Sequence, residues 1–85
     1  MEKALREDLE KLRSELHEGA ELDAETRELL ASLAQEIEEV IERSGEGEHG
    51  LGDRLRAATE RFEESHPSLT AVVGRLADML SNVGI

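Results

Sequence analysis

The sequence predicts an all-α protein: a helical hairpin plus a long helix kinked at Pro67, a heptad-patterned bundle completed by oligomerisation. Three observations carry this expectation. Leucines recur at spacings of three and four along most of the chain, the period of one helix face. Glu, Leu, Ala and Arg dominate while the aromatic set is a single phenylalanine, which favours helix over sheet. Finally, a chain of 85 residues buries only ~60–65% of its unfolded surface. With no cysteine to staple it, oligomerisation is the leading remedy.

The first helix is expected over about residues 2–18. Leu5, Leu9, Leu12 and Leu16 place a stripe on one face, and Glu2/Arg6 and Glu7/Lys11 stand four apart with the acid first. Gly19 suits the left-handed position that closes a helix. The second helix, about 24–43, opens on Asp23 as N-cap with Glu25 at the positive end of the dipole. Leu30, Leu33, Ile37 and Val40 form its stripe, widened by Leu29 and Ile41. The short connection predicts an antiparallel hairpin. Residues 44–50, SGEGEHG, read as a flexible loop.

From Leu51 to Val83 one register runs unbroken. Leu55, Phe62, Leu69, Leu76 and Val83 stand seven apart, and Leu51, Ala58, Ser65, Val72 and Met79 fill the second heptad position. The phase passes through Pro67 without slipping. That favours one helix over 51–83, kinked around Ser65, His66 and Pro67, above two independent helices. Such a helix would be ~50 Å long against ~25–30 Å for each arm of the hairpin, leaving its C-terminal half uncovered. Leu69, Val72, Val73, Leu76, Met79, Leu80 and Val83 therefore form the expected interface of a homodimer or higher oligomer. Ala71, Gly74 and Ala77 are small enough to let helices approach.

Twenty-one acidic residues against ten basic ones give a net charge of −11, the wrong sign for phosphate backbones or an anionic membrane. No apolar run reaches the ~20 residues of a span. The N-terminal MEKALREDLE lacks the hydrophobic region of a signal peptide, so a cytoplasmic location is expected. Neither nucleic acid nor membrane is an expected partner. Ser65 and His66 are adjacent, so their side chains diverge on a helix and make no nucleophile–base pair. His17-Glu18 is followed by Glu21 where a zinc-binding helix needs a second histidine. Glu46, Glu48 and His49 sit in a glycine-rich loop that preorganises no metal geometry. No catalytic residue, metal or cofactor is expected. Glu36, Glu38, Glu39 and Glu42 form an acidic block on the second helix, read first as a solvated face and second as a docking surface for a basic partner or a mimic of nucleic acid.

Residues 60–85, ERFEESHPSLTAVVGRLADMLSNVGI, resemble the C-terminal signature of a small bacterial family, the domain of unknown function DUF4404. The resemblance rests on Phe62, Glu63, His66, Pro67 and Leu69, then Leu80, Asn82, Gly84 and Ile85. It implies a bacterial, helical, cytoplasmic protein with no assigned activity. The functional expectation is a non-catalytic, self-associating helical interaction module. The alternative is an acidic regulatory adaptor that binds an unidentified protein through its acidic face or an apolar groove.

Overall fold

The computed structural model describes residues 2–17, 21–43 and 50–82. These form four helices and no strand: α1 (Glu2–His17), α2 (Ala24–Glu42), α3 (Leu51–Thr59) and α4 (Pro67–Asn82). Each helix packs on two neighbours, α1 on α2 and α4, and α3 on α2 and α4. Ion pairs fix the directions. Arg54 meets Glu36 and Arg61 meets Glu25 along α2, while Arg75 of α4 meets Asp8 of α1. The helices alternate up and down around one apolar core.

The hairpin lies where the sequence places it. Asp23 caps α2, its Oδ1 accepting the Thr26 N–H at 2.8 Å. The α1 stripe buries Leu5, Leu9 and Leu12, and α2 buries Leu30, Leu33, Ile37, Val40 and Ile41. Leu16, Leu22 and Leu29 pack against that core half-exposed. Gly19 and the segment 44–49 lie outside the described residues. Gly50 is described; it adopts φ 89°, and its carbonyl accepts the Arg54 N–H at 2.9 Å as α3 begins.

The long kinked helix is not what forms. After Thr59 the hydrogen bonds tighten to i→i−3, with Glu60, Arg61 and Phe62 donating to Ala57, Ala58 and Thr59. Ser65 and His66 both donate to Phe62, and the chain reverses at His66. Pro67 then opens α4. Its missing N–H is harmless at the first helical position, its fixed φ is already helical, and it pushes the preceding residue out of helical geometry. The first bond of α4 runs from Thr70 N to His66 O at 3.0 Å. A side-chain contact proves the reversal. Arg56 pairs with Asp78, 22 residues away, a separation that would be ~33 Å on one continuous helix. The longest dimension of the molecule is 33 Å, too short for a ~50 Å helix.

The reversal covers the apolar face expected to be left bare. Leu69, Val73, Leu76 and Leu80 are completely buried within the single chain, Val72 nearly so, and Met79 is half-buried against the same core. The premise of an exposed interface on α4 is thereby corrected; Val83 lies outside the described residues. A radius of gyration of 11.8 Å matches the ~12 Å of one compact domain of this length.

Candidate functional site

The side chains that could carry function are those left outside the core, and α2 concentrates them. It holds six glutamates against one arginine. The acidic block expected on this helix divides in two. Glu36 and Glu38 turn sideways and are held by arginines from the flanking helices. Arg54 of α3 grips both oxygens of Glu36, at 2.7 and 3.1 Å, and Arg13 of α1 meets Glu38 at 2.5 Å. Side chains on a helix lean toward its N-terminus, so on antiparallel neighbours Arg13 and Glu38 lean toward each other. Glu39 and Glu42 instead face solvent, in a row with Glu28, Ser32 and Gln35. Pairs as exposed as Arg13–Glu38 contribute ~0–1 kcal/mol each. They orient the helices more than they stabilise them.

The segment 65–67 is structural. Ser65 is exposed, and the His66 ring turns away to the connection before α2, its Nε2 3.0 Å from the Glu21 carbonyl. A carbonyl only accepts, so Nε2 carries the proton. The ring ties the α3–α4 reversal to the α1–α2 connection, and the two reversals at that end of the bundle brace each other. Glu21 is 45 residues from His66, so local spacing does not specify this partner.

One polar group, Asp8, has no counterpart in the sequence pattern, whereas Asp23 stands at the cap position expected of it. Asp8 is a buried carboxylate on α1, 3.3 Å from Arg75 Nε and 3.8 Å from Lys11 Nζ. It sits beside Leu9 where the leucine stripe hides it, and only the arrival of α4 explains its burial. Asp23 is held below the usual carboxylate range, first by the Thr26 hydroxyl, then by the Thr26 N–H, with Arg61 adding to both against a small desolvation cost.

One groove runs between α1 and α2. Its volume is about 570 Å³, it opens to solvent, and Arg13, Leu16, His17, Arg27, Ala31 and Ala34 line it. Arg27 donates to the Leu16 carbonyl there and Arg13 is engaged with Glu38, so both guanidinium groups already serve the fold. His17 is exposed at the end of α1, with Glu18 outside the described residues. Glu46, Glu48 and His49 also lie outside them. Among the described residues no three His, Asp or Glu side chains converge to hold a metal ion. Nor is any described helix long and apolar enough to cross a membrane.

Fold and surface together define a small all-helical bundle with its apolar stripes turned inward and an acidic second helix. The chain belongs to the DUF4404 family, a domain of unknown function, whose profile matches residues 5–85. No curated protein and no solved structure matches it.

Proposed function

We propose that the chain is a non-catalytic helical protein-interaction module, working in the cytoplasm, that offers the solvent face of α2 to a basic partner. One observation carries this reading. The apolar stripes are consumed in the core and Glu36 and Glu38 in bracing it, which leaves Glu28, Glu39 and Glu42 as an outward row along one helix. A partner segment with lysines or arginines at helical spacing complements that row. Such complementarity sets encounter rate and specificity more than raw affinity.

The test is fluorescence anisotropy of a labelled lysine-rich helical peptide, titrated at low and physiological salt. Glu28→Gln/Glu39→Gln/Glu42→Gln is expected to weaken binding roughly tenfold. Neutralising three exposed carboxylates elsewhere, Glu7, Glu10 and Glu63, is expected to change it little. Equal losses from both triple variants would mean that only net charge matters, and would remove α2 as the docking face.

A second reading is self-association. It is favoured by the heptad register that continues across the α3–α4 reversal, where a monomeric hairpin has no need of it.

A further inference from the structure

We infer that a second copy of this chain is the partner in self-association, and that the two copies exchange α4 by opening the segment 60–66 into helix. The inference rests on the self-association reading and adds to it the element exchanged and the hinge.

Three observations meet at that segment. First, Leu55, Phe62, Leu69 and Leu76 keep a seven-residue spacing before, within and after it, and all four are buried. In an antiparallel hairpin the phases of the two helices are independent. A shared phase is what a continuous helix requires, because only then do the four side chains lie along one face. Second, the backbone between α3 and α4 is already close to helical. Glu60 keeps right-handed helical angles, and the backbone donors of Glu60, Arg61, Phe62, Glu63, Ser65 and His66 reach back three or four residues rather than to other helices. Third, the only obstacle is local. His66 leaves the helix because Pro67 follows it, and proline within a long helix produces a kink where packing favours continuity. Ser65 marks the same place: it is the polar, exposed member of the second heptad track.

Opening the hinge gives up the His66–Glu21 brace and leaves the contacts of α4 available. In the exchanged dimer α4 of one copy lies on α1 and α3 of the other. Asp8–Arg75 and Arg56–Asp78 re-form between chains, and the core leucines find the same neighbours. The chain's own core thus doubles as the interface. This accounts for a single sequence that patterns as one long helix and folds as two. Because exchange conserves the contacts of α4, concentration and the hinge set the balance between the two forms.

The experiment combines light scattering behind size exclusion with chemical crosslinking. The wild-type chain has no cysteine, so introduced thiols report cleanly. Wild type, refolded from urea at increasing concentration, is expected to show a growing dimer fraction. Pro67→Ala removes the break and is expected to raise that fraction about tenfold. Inserting two glycines after Glu64 relieves the hinge and is expected to lower it. Circular dichroism verifies that each variant folds, and the glycine insertion tests the wild-type dimer should Pro67→Ala fail to do so. Arg56→Cys and Asp78→Cys chains are then mixed, refolded together and treated with a short bismaleimide. A covalent product containing one chain of each kind is the expected result, since exchange alone sets α3 of one chain beside α4 of the other. A dimer without that mixed product overturns the exchange and leaves self-association through the outer surface. Monomer at every concentration, for wild type and Pro67→Ala alike, overturns both.

Discussion

Replacing Gly74 by alanine tests whether the outer side of α4 is open. Gly74 lies in the interior of α4, half-buried, and a Cβ built on it meets nothing within 4 Å. Glycine in a helix interior is less favourable than alanine by ~0.8–1 kcal/mol, chiefly because the unfolded chain has more freedom to lose. With no clash to offset that gain, Gly74→Ala should stabilise the bundle by about 1 kcal/mol. For a domain of this size the gain corresponds to a rise in Tm of ~4–8 °C. The assay is thermal and urea unfolding followed by circular dichroism at 222 nm. Gly50→Ala serves as a control of opposite sign. Nothing lies within 4 Å there either, but φ is 89°, so alanine should lose ~1–2 kcal/mol to backbone strain alone. A neutral or destabilising Gly74→Ala would refute the reasoning, because some surface would then be using the space beside that glycine. If the loss deepened with protein concentration, the surface would belong to another copy.

Four further outcomes follow from the core and its polar fixtures. Leu76→Ala should destabilise by ~2–5 kcal/mol even at the lowest measurable concentration, since its burial is completed within one chain; a loss seen only in dimer affinity would restore it as a surface residue. A double-mutant cycle on Asp8 and Arg75 should give a coupling of ~1 kcal/mol, larger than that of Arg56 and Asp78, because only Asp8 is withdrawn from water. His66→Ala should cost ~0.5–1.5 kcal/mol through the lost bond to Glu21, measured by urea unfolding, with a value near zero excluding that brace. Asp23 has a depressed pKa in the folded state, so its contribution is present above the unfolded value of about 3.8 and is lost as pH falls through the folded one. Asp23→Asn keeps a capping oxygen without the titration. The stability gap between wild type and this variant should therefore narrow below pH ~4, and a constant gap would show that the carboxylate charge is immaterial.

Local signals and long-range signals fared differently in this chain. The leucine spacing and the Asp23 cap are decided within one or two helical turns, and the hairpin formed where they place it. Pro67 was ambiguous for a physical reason: the same residue is tolerated as a kink inside a packed helix and preferred at the first position of a new one. Choosing between them depends on what covers Leu69, Val73, Leu76 and Leu80, which is a tertiary matter. Within one chain, α1 and α3 can cover them only if the chain turns back, and the closing of that core outweighs the helical bonds given up between Thr59 and Pro67. The arginine braces were illegible for the same reason, since Arg54 and Glu36 are 18 residues apart and Arg13 and Glu38 are 25 apart. Heptad register, by contrast, says which residues share a face and is silent on whether the partner helix comes from the same chain or another. For Leu69 and Leu76 both answers bury the same side chains. The seven residues from Glu60 to His66 are therefore where the proposed exchange would be decided, because the four helices themselves are common to a monomer and to such a dimer.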